Sequence, residues 1–232
     1  MTNPPRPLSS GLPETGKASS EGRAKPPWKS CGAIACNSHS GIDALASWRL
    51  FTAVPLPTAL EDEIGEVLSG LSVFQEIKWV SPSQLHLTLF FLGNRDEAMV
   101  PSLIEALSGV ASGFVPFDSG LMGLGAFPNL TRPKVFFVPV VKGEKRFEAL
   151  SRRLNEKLQG LGITREKNKF HPHVTLGRVR EGRTGEAVSG RMKAGFLSRT
   201  LEWKTGSFIL FRSQLTPGGP VYTPLKEFTL GD

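Results

Sequence analysis

The most informative stretch of the sequence is FHPHVTLGR at residues 170–178, because it contains a four-residue pattern, His-x-Thr-x, that the chain repeats. The two copies are HLTL at residues 86–89 and HVTL at residues 173–176. The chain has four histidines, so half of them begin this pattern. Because the copies lie far apart in sequence, we expect them on two related lobes that face each other.

Both copies have the composition of a β-strand with one buried face. Side chains alternate across a strand, so His86 and Thr88 share one face while Leu87 points to the other. The same parity places His173 and Thr175 together on one face of the second strand. Each strand therefore presents an imidazole and a hydroxyl on one side and is anchored in an apolar core on the other.

Two imidazoles that face each other suit acid–base catalysis at a phosphate. The unperturbed histidine pKa, about 6.5, lets one ring be neutral while the other is protonated, as an in-line displacement at phosphorus requires. Threonine hydroxyls can donate hydrogen bonds to the non-bridging oxygens, where charge develops in the transition state. We therefore predict that His86 and His173 are catalytic. Thr88 and Thr175 are predicted to bind the phosphate.

Taken together, the motifs resemble a known family, the 2H phosphoesterases, and within it the bacterial and archaeal RNA 2',3'-cyclic phosphodiesterases once called 2'-5' RNA ligases. The resemblance spans most of residues 48–229. The stretches that carry it are RLFTA at residues 49–53, HLTLFFLG at 86–93, RPKV at 132–135, FHPHVTLGR at 170–178, FRS at 211–213 and PGGPVY at 217–222.

The resemblance implies a two-lobed fold with a central groove, no metal and no cofactor. It implies hydrolysis of a terminal 2',3'-cyclic phosphate at the bond to the 3' oxygen, so that the product carries a 2'-phosphate. By the family's usual assignment, His173 activates the attacking water and His86 protonates the leaving 3' oxygen. The implied partners are RNA ends or nucleotides that carry a 2',3'-cyclic phosphate.

Arg178 matches an arginine that contacts phosphate in the family, and a guanidinium suits that role. Strict alternation from His173 places residue 178 on the opposite face of the strand. Reaching the groove therefore requires a twist or a β-bulge, for which Gly177 is a suitable residue. The other interpretation is a solvent-facing arginine beside Arg180 and Arg183.

Helix and strand patterns are mixed along the chain, which predicts an α+β fold of two pseudo-symmetric lobes of antiparallel sheet plus helices. Apolar spacing predicts helices over residues 58–71, 97–110 and 144–161, with Thr58 as the N-cap of the first. Strands are predicted at residues 48–55, 77–80, 85–92, 115–125, 134–141, 173–179, 207–215 and 221–230.

The N-terminal segment differs from the rest of the chain. Residues 1–46 are rich in proline, glycine and serine and show no hydrophobic period, which predicts a flexible extension ahead of one domain over residues 47–232. Both cysteines, Cys31 and Cys36, lie in this segment. The domain therefore has no cysteine for a disulfide, a thiolate zinc site or catalysis.

Charge and hydropathy narrow the class of protein. The net charge of +7 favours polyanionic partners. The sequence has no apolar run of about 18 residues, and its N-terminus lacks the apolar stretch of a secretory signal. We therefore expect a cytoplasmic protein that has no membrane partner, and we expect it to be a monomer.

Other interpretations remain open. His171 and His173 share a strand face and could form a three-histidine zinc site with His86. Hydrolytic metal sites usually include carboxylates, however, and none lies within three residues of either catalytic histidine. The chain could also bind RNA ends without turnover, or join RNA ends into 2'-5' linkages at the same site.

Overall fold

The computed structural model describes residues 47–164, 169–181, 183, 185–193 and 196–231. The predicted flexible extension, residues 1–46, lies outside the described residues. The strands are β1 (Ser47–Pro55), β2 (Ile77–Trp79), β3 (His86–Asp96), β4 (Phe117–Leu121), β5 (Gly125–Phe127), β6 (Val135–Lys142), β7 (His173–Val179), β8 (Leu201–Thr205), β9 (Ser207–Thr216) and β10 (Gly219–Thr229). The α-helices are α1 (Thr58–Ser69), α2 (Val100–Ala111), α3 (Glu144–Gln159) and α4 (Glu186–Lys193).

Most of the predicted elements are confirmed, and β7 has the predicted bounds. Helix α1 begins at Thr58, but Pro57 occupies the N-cap position, so the predicted N-cap is wrong by one residue. The strand expected over residues 115–125 is divided into β4 and the start of β5. Helix α4 has too weak a pattern to be predicted, since Val188 and Met192 are its only large apolar residues.

The strands form one sheet in the order β10-β9-β1-β3-β7-β6-β4-β8, and neighbouring strands are antiparallel. Strand β2 pairs with the end of β7, and β5 pairs with β6. The two strands that carry His-x-Thr-x, β3 and β7, are neighbours at the centre of this order. Each half of the sheet contains the same unit, a strand, a helix and then a His-x-Thr-x strand: β1-α1-β3 and β6-α3-β7. The predicted α+β fold of two related lobes is confirmed.

The helices cover one face of the sheet. Each contributes to a single apolar core, for example through Ile64 of α1, Leu103 of α2, Leu150 of α3 and Val188 of α4. A second, smaller cluster of buried residues lies apart from this core: Phe51, Ala53, Ile209 and Phe211. None of the described helices is long and apolar enough to cross a bilayer.

The two halves match residue by residue around the histidines. Pro55 of β1 lies opposite His86, and Pro139 of β6 lies opposite His173. In both halves the pairing then skips the fourth residue of the pattern: β3 shifts register against β1, and β7 shifts register against β6. Both His-x-Thr-x strands therefore carry a β-bulge directly after the threonine.

The bulge residues are Leu89 in β3 and Leu176 in β7, and the carbonyl of each has a hydrogen-bond partner. The Ser151 hydroxyl of α3 donates to the Leu89 carbonyl at 2.8 Å. The Val80 amide donates to the Leu176 carbonyl at 2.8 Å. These bonds satisfy polar groups that the bulges take out of the regular ladder, so each bulge is supported by its surroundings.

Gly177 follows the bulge in β7 and touches β2. A Cβ at this position would lie 2.8 Å from Cγ2 of Ile77 and 2.8 Å from Cε3 of Trp79. Real side chains do not approach so closely, so glycine is what lets β2 pair with β7 here. This pairing fixes the strand position of the next residue, Arg178.

We expect Gly177→Ala to lower the free energy of unfolding by about 1–3 kcal/mol, because the added methyl group overpacks β2 against β7. Gly190→Ala is the matched control, since Gly190 lies in α4 and no atom lies within 4 Å of its Cβ position. Alanine in a helix interior stabilises it by about 0.5–1 kcal/mol relative to glycine. Chemical denaturation measures both variants, and a Gly177→Ala protein as stable as the wild type would show that the strands tolerate the methyl group.

Candidate active site

The two His-x-Thr-x strands meet at one backbone pair, Leu87 opposite Val174. Both of these side chains are buried in the core. The histidine and threonine of each pattern point away from the core and are half-buried. We call the surface that they form the histidine face. It carries His86, Thr88, His173 and Thr175.

Antiparallel geometry interleaves the two patterns on this face. On either side of the central pair, His86 comes next to Thr175 and Thr88 comes next to His173. The two histidines are diagonal neighbours across this pair, close enough for the charge of His173 to act on His86. An anion held between the imidazoles would therefore lie within reach of both threonine hydroxyls.

Each imidazole is oriented by the backbone carbonyl two residues earlier. Nδ1 of His86 lies 2.7 Å from the Gln84 oxygen, and Nδ1 of His173 lies 2.6 Å from the His171 oxygen. A carbonyl oxygen can only accept, so Nδ1 is the donor in both rings. Nε2 of each neutral ring therefore keeps its lone pair and is the atom that can take up a proton.

Aromatic rings pack against both imidazoles. His86 contacts Phe51 and Tyr222, with ring centroids 5.3 Å away in each case. His173 contacts Phe127 of β5, with ring centroids 5.2 Å apart, and Phe137 of β6, with ring centroids 5.0 Å apart. These contacts restrict the rings and remove water from one side of each.

Burial lowers the pKa of both histidines below the ordinary value of 6.5. For His86 the loss of solvation dominates, the Gln84 carbonyl partly offsets it, and the charge of His173 lowers the pKa further. For His173 the loss of solvation again dominates, the His171 carbonyl opposes it, and the charges of His171 and Arg178 lower the pKa further. Because the two rings are coupled, a proton on His173 disfavours one on His86.

Arg178 lies on the same side of β7 as His173, although strict alternation predicts the other side. The bulge at Leu176 inserts one residue into β7 and reverses the parity after it. Arg178 is accordingly exposed, and its charge acts on both His173 and Tyr222. The strand thus contains the bulge that the position of Arg178 requires, one residue before Gly177.

Tyr222 and Arg49 belong to the same surface, and the His-x-Thr-x patterns do not reveal them. Tyr222, the only tyrosine of the chain, packs edge-on against His86. Burial raises the pKa of its hydroxyl, while the charges of Arg178 and then Arg49 oppose the rise. A signal for both was present, because Tyr222 ends the PGGPVY stretch and Arg49 begins the RLFTA stretch.

Gln84 is the other residue that the patterns miss. Its carbonyl accepts from His86, and its side-chain amide donates to the Pro220 carbonyl at 2.8 Å. One residue thus connects the His86 ring to β10, the strand that also carries Tyr222. No pattern in the sequence indicates this link, because its partners are 136 residues apart.

Possible metal ligands on this surface are the histidines. Among the residues that the structure describes, no three histidine, cysteine, aspartate or glutamate side chains converge as a metal site. His171 is exposed, and its ring centroid lies 6.3 Å from that of Phe127.

The chain is similar to a known family and to several known proteins. The family model that matches it, over residues 57–212, is the 2'-5' RNA ligase superfamily. The chain belongs to this superfamily. One relative, the RNA 2',3'-cyclic phosphodiesterase of Archaeoglobus fulgidus, is 36% identical over 180 residues, which cover 78% of this chain and 99% of the relative. The protein of the same name from Thermus thermophilus is 37% identical over 186 residues, 78% of this chain and 90% of the relative.

Two solved structures have the same fold as this chain. A crystal structure of a Thermus thermophilus protein aligns with a TM-score of 0.66 and 33% identity, over 79% of this chain and 98% of that one. E. coli LigT in complex with 3'-AMP aligns with a TM-score of 0.62 and 24% identity, over 81% of this chain and 100% of that one. At this lower identity the second likeness supports the fold alone.

We expect NMR titration to give pKa values below 6.5 for both His86 and His173, with the proton of the neutral rings on Nδ1. Arg178→Met should raise the pKa of His173, because it removes a nearby positive charge. Arg180→Met is the control, since its guanidinium is bonded to the Gln75 carbonyl and does not act on His173. A pKa above 6.5 for either His86 or His173 in the wild type would contradict the loss of solvation assigned to these rings.

Proposed function

We propose that this chain hydrolyses terminal RNA 2',3'-cyclic phosphates to 2'-phosphates by acid–base catalysis with two histidines and without a metal. The observation that carries the proposal is the matched pair of imidazoles on the histidine face, each with Nδ1 bonded to a carbonyl and Nε2 left for proton transfer. The activity itself is supported by relatives at 30–37% identity that are named RNA 2',3'-cyclic phosphodiesterases. The chain is an RNA 2',3'-cyclic phosphodiesterase of this family.

The proposed reaction balances with one water. Nε2 of neutral His173 removes a proton from water as the water oxygen attacks phosphorus. The bond between phosphorus and the 3' oxygen breaks, and the protonated His86 gives its Nε2 proton to that oxygen. The products are a 2'-phosphate and a 3'-hydroxyl, and a proton returned from His173 to His86 through solvent restores the starting state.

Three side chains would bind the phosphate during this reaction. Thr88 and Thr175 lie beside the histidines and would donate hydrogen bonds to the non-bridging oxygens, where negative charge grows. Arg178 would add a charge-assisted hydrogen bond from the end of the bulged segment. The phosphate-binding role of each side chain is proposed because it lies on the same side of the sheet as the two histidines.

The assignment of His173 as the base follows the family's usual assignment, and one nearby charge supports it. Arg178 acts on His173 and disfavours its protonated form, which keeps a lone pair on Nε2 for the water. Arg178 is not among the groups that act on His86, but the charge of His173 disfavours a proton on His86. The bound phosphate, which is anionic, would favour a proton on either histidine, so the experiment with an activated leaving group decides which ring is the acid.

Several properties remain predictions alongside this function. Residues 47–232 are proposed to be the catalytic domain, and the protein is proposed to act as a cytoplasmic monomer. RNA binding without turnover and 2'-5' end joining would use the same surface, and the experiments below separate them from hydrolysis.

We expect the purified protein to convert a short RNA with a 2',3'-cyclic phosphate into the 2'-phosphate in the presence of EDTA. His86→Ala and His173→Ala should each lower kcat/KM by about 10²–10⁴, the usual contribution of a positioned acid or base. His171→Ala is the control, because the side chain of His171 is outside both patterns. We expect its kcat/KM to stay within about tenfold of the wild type.

The other outcomes have distinct meanings. Activity abolished by EDTA and by His171→Ala would identify a metal site and overturn the two-histidine mechanism. RNA binding without turnover would identify a binding module. Products joined by 2'-5' linkages would identify a ligase.

The roles of the two histidines are tested with an activated leaving group. A substrate whose 3'-side leaving group needs no proton should restore His86→Ala by about 10²-fold or more, because the missing acid is no longer required. The same substrate should not restore His173→Ala, because the water still needs a base. If His86→Ala stayed inactive while His173→Ala recovered, the assignment would be reversed.

A further inference from the structure

The end of the β9–β10 hairpin, residues 216–222, folds over part of the histidine face. In the sheet order β9 and β1 separate β10 from β3, so a flat sheet would keep β10 and β3 about 14 Å apart at the usual strand spacing. The rings of Tyr222 in β10 and His86 in β3 nevertheless have centroids only 5.3 Å apart. The hairpin end therefore curves over the sheet and covers one side of the His86 ring.

Two contacts join the hairpin end to the segment that leads into β3. The side-chain amide of Gln84 donates to the Pro220 carbonyl at 2.8 Å. Nζ of Lys78 lies 3.8 Å from the position that a Cβ of Gly219 would occupy. The turn of the hairpin is held by its own bond, from the Thr216 hydroxyl to the Gly219 carbonyl at 2.7 Å. The bond from Gln84 thus ties a preformed turn to the start of β3.

Gln84 bears on His86 in two ways that a substitution can separate. Its backbone carbonyl accepts from Nδ1 of His86, and every substitution of the side chain keeps this carbonyl. Its side-chain amide reaches the imidazole only through the hairpin end, where Tyr222 packs edge-on against His86. Tyr222 also packs against Phe51, the other aromatic ring beside His86, with centroids 5.1 Å apart. Loss of the amide would therefore release one anchor of the Tyr222 ring.

Resting on the function proposed above, we propose that Gln84 is a positioning residue: its side chain holds the hairpin end in place and so keeps Tyr222 packed against His86. The packed Tyr222 ring excludes water from one side of the imidazole and limits the directions in which Nε2 points. A misplacement of about 1 Å can cost about 100-fold in rate. One hydrogen bond from Gln84 can thus affect the proposed proton transfer without contact to the substrate.

The surroundings of His86 fix the expected effect on its protonation. Among the described residues, the titratable groups that face its ring are His173 of β7 and Tyr222 of β10, whereas β1 contributes Phe51. Burial raises the pKa of the Tyr222 hydroxyl, so this group is uncharged near neutral pH. Loss of solvation is the largest cause of the lowered pKa of His86. Release of Tyr222 would return water to the imidazole and raise its pKa towards 6.5.

The test is Gln84→Met, which keeps the backbone carbonyl and the length of the side chain and removes the amide that bonds to Pro220. NMR titration should give a higher pKa for His86 and the wild-type pKa for His173. With an RNA 2',3'-cyclic phosphate as substrate, kcat should fall by about tenfold while KM changes little. The limb of the pH profile that belongs to His86 should move to higher pH.

Gln75→Met is the matched control. The side-chain amide of Gln75 also donates to a backbone carbonyl, that of Ser72 at 2.9 Å, but Gln75 is exposed and does not contact the hairpin end. This variant should keep both histidine pKa values and the wild-type kcat. An equal rise in the pKa of both histidines in Gln84→Met would indicate a general loosening of the site and would overturn the positioning role.

Tyr222→Leu tests the route from Gln84 to His86. It should raise the pKa of His86 by itself, and Gln84→Met added to it should cause no further rise, because residues that act through one contact are not additive. Additive rises would show that Gln84 acts on His86 by another route and would overturn the proposal. An unchanged His86 pKa and an unchanged kcat in Gln84→Met would overturn it as well.

The NMR titration needs no substrate, so this inference and the function on which it rests can fail separately. Failure of the wild type to open a cyclic phosphate would contradict the proposed function, and the pKa values would still test whether Gln84 holds Tyr222 against His86.

Discussion

The whole site depends on the contact between β3 and β7, where Leu87 pairs with Val174. These two residues are buried against the helices, so the strand pleat directs both histidines and both threonines to the other face. The pair also sets the diagonal relation of His86 and His173. A shift of one residue in this register would turn one whole pattern into the core, and the proposed acid–base pair would be lost.

The two halves are alike in backbone and different in side chains, and the difference gives the site a direction. Both strands bulge after the threonine, and both have an exposed residue five positions after the histidine. That residue is Phe91 in β3 and Arg178 in β7. His173 therefore has a cation in its half of the site, and His86 has an aromatic ring in the equivalent place. Two equivalent imidazoles can in this way take different roles.

The sequence predicts the strands that carry the histidines because their alternation is strong, and it predicts α3 because its apolar residues follow a helical period. It does not predict α4, whose apolar residues are few. It identifies His86 and His173 through a repeated local pattern. Gln84 reaches the site through a contact between distant segments, which no local pattern encodes, whereas Tyr222 lies in a stretch that carries the family resemblance. If Arg178 must lie on the histidine face, the alternation of side chains along β7 requires a bulge before it.

The most decisive measurement is the pH dependence of kcat/KM for the wild type, His86→Ala and His173→Ala. The wild type should give a bell centred below about 6.5, since burial lowers the pKa of both rings. The base must be deprotonated, so its titration gives the acidic limb, which His173→Ala should lose. The acid must be protonated, so its titration gives the alkaline limb, which His86→Ala should lose. An unchanged bell with both limbs in either variant would contradict a pair of histidines that act as acid and base on one phosphate.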